Sequence, residues 1–548
     1  MSMFSIGLSG LNAAQNALTT TSNNISNVYT PGYNREITVL GEGSGGTQGV
    51  QVNDIERQFN QYVADQLNGA VSSSSALNAY QTQVNQIDSL LADQDAGLAP
   101  LMQNFFSSLE DLASAPSDPA ARQGVLGAAD TLSAQFRAFD SYLQDMQDGI
   151  NSQIRDEITQ INNQSEELAS LNREISLAKA KTGEAPNALL NQRDQLVTEM
   201  SERIGVELTV QDGSSYRVSL PGGQPLVAGT DSYQLKAVSS PNDPQRLVVG
   251  YQDPGGGLQL LDEDSLQGGS LGGLIQFRSE TLDRTQNQIG QLAVSMAVAF
   301  NAQHAEGIDL DGNPGGAMFD IGEPRVFAND ANDGGATVTA SFDTDNISEL
   351  EAADYEVKVK IDESTGAQTF EVTRKDTGEA VDASFDATES ELSFGGVTLA
   401  IDDTSALADG DRFEVQPVRR AAGGFDNAIS DPDKIAAAGE SGASGDNENA
   451  LALQGLQDKM SVGGSATLSQ AYASLVSDVG NRTNVVQVNL AAQQGLTEQL
   501  SAVKLSESGV NLDEEAANLI RYQQYYQANA KVIDTATSVV DTILGLRG

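Results

Sequence analysis

Over most of the chain, apolar positions recur at alternating steps of four and three. That spacing predicts long amphipathic helices whose stripes pack on one another. The closing segment steps through Leu512, Ala516, Leu519, Gln523, Tyr526, Ala530, Ile533, Thr537, Val540 and Leu544. A second run passes from Leu271, Ile275 and Arg278 through Leu282, Thr285, Ile289, Leu292 and Met296 to Ala299. A third contains Leu468, Tyr472, Leu475, Val479, Arg482 and Val486, with Leu496 and Leu500 continuing its seam. A fourth has Ile150, Ile154, Ile161, Leu168, Leu171 and Ile175. At the start of the chain Leu8, Leu11, Leu18 and Ile25 share a helix face, and Val28 stands one turn further on. Thr30-Pro31-Gly32-Tyr33 then suits a type II turn, with proline at its second position and glycine where φ is positive. "GEGSGGTQG", Gly41 to Gly49, reads as a flexible loop before the next helix.

Two regions change to period 2. From Val206 to about Ala237, "VELTV", "YRVSL" and "YQLKA" alternate between turns at Asp212-Gly213 and Pro221-Gly222-Gly223. From Ala336 to Val418, "ATVTASF", "YEVKVKI", "TFEVTR", "LSFGGVTLAI" and "RFEVQP" read as antiparallel strands. The helices on either side of these modules can pair, which puts both ends of the chain at one end of a long molecule. The expected fold is therefore α+β and multidomain: a long antiparallel coiled-coil or bundle core built from both ends, with inserted antiparallel β domains. Its parts are residues 1–60 with 505–548 (terminal helices, disordered in the monomer), and 61–205 with 265–330 and 425–504 (helical bundle). A small β region at 206–264 and an outer β domain at 331–424 complete it.

Composition narrows the function. Lys plus Arg number 30 against 76 Asp plus Glu, a net charge of −46. Such a surface repels phosphate backbones and anionic lipid, which argues against nucleic-acid and membrane-surface partners. There is no cysteine, so neither disulfides nor thiol chemistry is available. The first residues lack a basic segment followed by an apolar run, so no secretory signal peptide is expected. No 18-residue apolar stretch suggests a membrane span.

Candidate chemistry is sparse. The single histidine, His304, all but excludes a Ser/His/Asp triad or a histidine-rich metal site, and a structural role outweighs a catalytic one. Asp309, Asp311 and Asn313 mimic the opening of a calcium loop, but Pro314 stands where glycine is required and Asp320 where glutamate is. A turn is the better reading. "GDNENA", Gly445 to Ala450, suits helix capping. "PGGGLQ" at Pro254 lacks the lysine and the strand-to-helix setting of a phosphate loop. No cofactor, metal or catalytic group is expected.

The terminal helices remain. Buried leucine or isoleucine contributes about 1.5–3 kcal/mol each, alanine and threonine far less. A pair whose seam includes Gln523, Thr537 and two alanines would be marginal alone, and its composition suits close packing among many copies. The expected assembly interface is Leu8, Leu11, Leu18, Ile25 and Val28 from the start, with Leu512, Leu519, Tyr526, Ile533, Val540 and Leu544 from the end.

"LSGLNAAQNALTTTSNNISNVYTPGYNRE", Leu8 to Glu36, resembles the N-terminal motif of bacterial flagellar rod, hook and hook-associated proteins. "SGVNLDEEAANLIRYQQYYQANAKVIDTATSVVDTILGL", Ser508 to Leu546, resembles their C-terminal motif. The length, the helical block before Val206, "FNAQHAEGIDLDG" and "GDNENALAL" resemble the branch of that family found at the hook–filament junction. The resemblance implies a structural, non-enzymatic subunit, exported through the flagellar type III apparatus without cleavage. It implies a homo-oligomeric ring with the terminal helices on the inner wall, between the hook protein and a second junction protein. It also implies an export chaperone that holds the C-terminal helix. The alternatives are a secreted adhesin that binds a ligand through the outer β domain, for which an exposed aromatic or apolar patch on Ala336–Val418 would speak, or another flagellar axial subunit.

Overall fold

The computed structural model describes residues 3–42, 49–92, 97–211, 215–253, 255–362, 364–439, 443 and 445–546. Ten α-helices carry the frame among these: α1 Met3–Ser26, α2 Gln61–Leu91, α3 Leu98–Ser114, α4 Pro119–Thr182, α5 Asn187–Arg203, α6 Gly269–Phe277, α7 Asp283–Ala305, α8 Glu448–Gly455, α9 Leu468–Ser508 and α10 Leu512–Gly545. None is long and apolar enough to cross a membrane. Their ends obey local chemistry. Asp118 accepts from Ala120 N at the start of α4, Pro119 occupies its first turn, and Gly183 (φ 74°) closes it behind Lys179 and Lys181. Thr467 and Gln470 form a reciprocal capping box on α9, and Asn511 caps α10.

The chain folds back on itself in nested antiparallel pairs, α1 with α10 and α2 with α9. The 64-residue α4, about 95 Å long at 1.5 Å per residue, runs through the body. Its stripe from Ile150 to Ile175 is buried, as its periodicity predicts. One apolar core joins α2–α9 with the strands between Glu207 and Leu260, where Tyr216, Val218, Leu226 and Val249 pack on the helices. The small β region is thus continuous with the helical core.

The second β module has its own core. A five-stranded antiparallel sheet runs 325–328, 412–416, 355–361, 368–374, 380–381, and a four-stranded one runs 338–342, 397–401, 391–394, 384–386. Val357, Val359, Leu399 and Val415 lie between them, and Val294 of α7 reaches into the same cluster. Among the described residues no large apolar side chain of 336–418 is exposed.

The structure corrects several local expectations. An antiparallel hairpin, β1 Glu36–Glu42 with β2 Val50–Arg57, replaces a simple loop before α2; it pairs from Glu36–Arg57 to Glu42–Val50, with a register shift between Val39 and Leu40. Residues 43–48, Asp212-Gly213 and Pro254 lie outside the described residues. The expected helix from Leu271 to Ala299 is interrupted by a π-helical turn, Arg278–Leu282. The seam of α9 does not continue through Leu496, which is 44% exposed; the buried face has drifted to Leu490 and Ser508. Asn447 at the start of α8 makes no capping bond, since its amide donates to Ala113 O (2.5 Å), and Asp446 accepts from Glu448 N instead (3.0 Å).

Asp309 accepts from the backbone N–H of Asp311 and Asn313 (2.9 and 2.8 Å), closing a turn. The Lys434 ammonium sits on Asp309 and Asp311 (3.2 and 2.7 Å), where a cation would otherwise be needed. His304 is fully buried, its Nδ1 2.8 Å from Gly316 O and its Nε2 accepting from Ala436 N at 2.8 Å. Only the neutral Nδ1–H tautomer satisfies both bonds, and burial lowers the imidazole pKa. A histidine with a depressed folded pKa stabilises fully above its unfolded pKa of about 6.5, and that contribution is lost as pH falls below it. Urea midpoints should therefore drop between pH 7.5 and pH 5.5. In His304→Asn that pH-dependent drop should shrink, which paired denaturation curves will check.

Candidate assembly interface

The α1–α10 pair meets along a seam of small residues. Gly7, Gly10, Ala14, Ala17, Thr21 and Asn24 are buried and repeat at steps of three and four, with Ala13 and Thr20 beside them. This is a heptad stripe one residue out of phase with Leu8, Leu11, Leu18 and Ile25. Small side chains bring the two backbones close. A Cβ on Gly7 would lie 2.8 Å from Ile533 Cγ1, and one on Gly10 would overlap the Asn529 amide. Contacts of Gly7 with Ile533 at one end and Asn24 with Glu515 at the other make the pair antiparallel.

The larger apolar residues consequently lie beside the seam or outside it. Leu8 is exposed, while Leu11, Leu18, Ile25 and Val28 are half-buried. On α10 only Glu515 and Ala536 are buried. Leu519 and Ile533 are half-buried, and Ile533 is taken up by the contact with Gly7. Leu512, Tyr526, Val540 and Leu544 face outward, as do Met3, Phe4, Val539 and Ile543. The candidate residues thus divide into two sets, and Ile533 belongs to the contact within the chain.

A polar node ties this pair to the body. Asn24 donates to Glu36 O (2.8 Å) and Glu515 Oε2 (3.1 Å), and accepts from Glu36 N (3.0 Å) and Tyr33 Oη (2.8 Å). All the hydrogen-bonding capacity of its carbonyl and both amide protons is used. Arg35 holds Glu515 Oε1 and Glu514 Oε2, both at 2.8 Å, and its N–H donates to Ser508 O (2.8 Å). Burial first, then the Glu36 and Glu515 charges, push the Tyr33 phenol pKa up, so Tyr33 remains a donor. Pro31 is exposed; Gly32 has φ 75°, and Tyr33 N donates to Thr30 O (3.2 Å). A Cβ on Gly32 would also lie 2.9 Å from Gln195 Cβ on α5. Next to the turn, Asn34 donates to Asn191 (2.8 Å), and Arg57 pairs with Asp194 (2.5 Å), which accepts from Tyr216 Oη (2.7 Å).

Asn24, Arg35 and Glu515 were not among the residues singled out from the sequence, and Tyr33 was named only as part of the turn. A signal existed: the run Gly7-Gly10-Ala14-Ala17-Thr21-Asn24 is a heptad written in small residues, invisible to a search for large apolar ones.

Residues 84–319 match the family model described as flagellar hook-associated protein FlgK helical domain. Residues 4–34 match the flagella basal body rod protein model, and 504–546 the flagellar basal body rod FlgEFG protein C-terminal model. Flagellar hook-associated protein 1 of Salmonella typhimurium is 40% identical over 561 residues, covering 100% of both chains. The chain belongs to the flagellar hook-associated protein 1 (FlgK) family. Its Escherichia coli member is 41% identical over 560 residues, again with 100% of both chains covered. The flagellar hook junction protein FlgK from Burkholderia pseudomallei superimposes with a TM-score of 0.74 at 30% identity, covering 81% of this chain and all of that one. FlgK proteins are structural components of the flagellum, and the regions matched at the two ends take in nearly all of α1 and all of α10.

Two changes test the node and the seam. Glu515→Gln keeps the shape but removes the buried charge that Arg35 grips, at a cost of about 1–3 kcal/mol. Amides of α10 should then exchange hydrogen roughly tenfold faster or more, each 1.4 kcal/mol being tenfold. Gly10→Leu should do the same by forcing the helices apart, with strands 355–361 unaffected.

Proposed function

We propose that this chain joins hook to filament by assembling into a ring through its terminal helices, after export through the flagellar type III apparatus unfolded and uncleaved. The observation that supports this is the division of labour on α1 and α10. Small residues form the contact within the chain, and the large apolar ones, Leu8, Leu512, Val540 and Leu544, are left facing outward. A helix pair that spends its glycines and alanines internally keeps its leucines for neighbours. Each such residue buried between copies would add about 1.5–3 kcal/mol.

In this reading residues 1–60 with 505–548 are the inner-wall unit, which gains its full order on assembly. The bundle of 61–205, 265–330 and 425–504 stands outside it, with the β region 206–264. The 331–424 module is outermost. The hook protein and a second junction protein contact the ring from either side. Before export, a chaperone covers the exposed face of the C-terminal helix. A ligand-binding role for the outer module is not favoured, because among the described residues it presents no large exposed apolar group.

The test is incorporation. Val540→Asp with Leu544→Asp, both on exposed positions, should change monomer stability by no more than about 0.5 kcal/mol. The same variant should abolish motility when it replaces the parent gene and leave hooks without filaments by electron microscopy. Normal filaments on such cells would overturn the terminal-helix interface.

A further inference from the structure

Six charges, four buried and two (Arg246 and Glu263) half-buried, form an alternating chain from the helical body into the outer β module. Arg278 pairs with Glu263 (2.6 Å), Glu263 with Arg246 (2.7 Å), Arg246 with Asp283 (2.5 Å), and Asp283 with Arg419 (3.2 Å); Arg419 then pairs with Asp354. Three cations and three anions alternate, so no charge in the row lacks an opposite neighbour. The π-helical turn Arg278–Leu282 makes this possible. In an unbroken α-helix Arg278 and Asp283, five residues apart, would diverge by about 140°. A wider turn with its i→i+5 bond brings them nearer one face.

Asp283 is the first residue of α7, in the body, whereas Arg419 and Asp354 belong to the module's side. The chain enters and leaves the module along one ribbon. Phe319–Asp320 pairs with Asp426–Asn427 on the body side, and Arg325–Ala328 with Phe413–Gln416 on the module side. Between them the backbones touch: a Cβ on Gly290 of α7 would overlap Val418 O, and one on Gly322 would lie 2.9 Å from Arg420 O. Arg420, adjacent to Arg419, turns the other way and pairs with Asp140 of α4 (2.9 Å). Gln416 donates to Asp243 (3.0 Å) from a third side. A double-stranded connection of this kind, without such anchors, would be a hinge.

We propose that this charge row is a locking joint, with Asp283 as its pin, that sets the angle of the outer β module on the helical body without being needed to fold either. The module's apolar core lies apart from the main one except where Val294 and Val298 of α7 enter it, so releasing the pin leaves the module folded but loosens its seat. The acidic side chain is the feature that matters, because it alone bonds cations of both bodies.

Absence of cysteine allows unique spin labels at two exposed positions, Ser152→Cys on α4 and Ala387→Cys on the module. Electron–electron resonance on the full chain should give one narrow distance distribution. In Asp283→Asn and in Arg419→Met its width should at least double, while hydrogen-exchange protection of strands 355–361 and 391–394 stays at the parent level. An unchanged width in both variants would show that the other contacts fix the module, and would overturn the proposal. Loss of protection in those strands, or failure of Asp283→Asn to fold, would assign the row to the folding core and overturn it as well. Arg420→Gln, which cuts only the α4 limb, should broaden the distribution by less than either.

Discussion

The fold depends on the two ends of one chain finding each other. The nested antiparallel pairs α1 with α10 and α2 with α9 are contacts between residues several hundred positions apart, Leu91 and Tyr472 being separated by 381. Closing loops of that length costs entropy that grows only slowly with length, so the distance itself is affordable; what is needed is a specific contact at the end of the search. The Asn24, Arg35 and Glu515 node supplies it. Its directional bonds fix register and angle where the small-residue seam, made of near-identical steps, would tolerate slippage by a heptad. The buried Glu515 is therefore a specificity device as much as a stabilising one.

Charge is handled differently in the two halves of the molecule. α1 carries no charged residue, and in α10 the acidic residues of the first turn both suit the helix N-terminus and supply the node. Away from the ends, the large negative excess is spread over solvent, and several of the buried carboxylates, Asp140, Asp194, Asp283 and Asp354 among them, meet arginines. The row through Asp283 shows why arginine is used there. Arg246 and Arg419 each bridge two carboxylates, which a planar guanidinium with five donors does with fixed geometry and a lysine ammonium does not.

How much of this was legible in the sequence depended on side-chain size. Heptads of leucine, isoleucine and valine announced α4, α9 and α10, and period-2 alternation announced both β regions, because large apolar residues at a fixed spacing mark one face of a helix or strand. The π-turn at Arg278 was not legible, since a single added residue in a helix leaves the hydrophobic steps almost unchanged. β1 and β2 were missed because their strands alternate weakly around a glycine-rich segment, and Glu36 and Arg57 look like surface residues. The terminal interface was half legible. The leucines pointed to a helix face, but the face that closes the chain is the neighbouring one, where burial comes from close approach and not from area.

That last point connects composition to assembly. A seam of glycine, alanine and threonine gains little from the hydrophobic effect, which scales with the apolar area removed from water, and gains instead from dispersion at short interaxial distance. Such a contact is geometrically demanding and energetically modest. It is well suited to the export and assembly proposed above, in which the segment would travel without a stable structure and then adopt one conformation. Exchanging the roles, with leucines inside and glycines outside, would give a sturdier monomer and a surface with nothing to offer its neighbours. The one-residue phase shift between Gly7-Gly10-Ala14-Ala17 and Leu8-Leu11-Leu18-Ile25 therefore separates two requirements on a single helix: closing the chain on one face, and leaving apolar area available on the next.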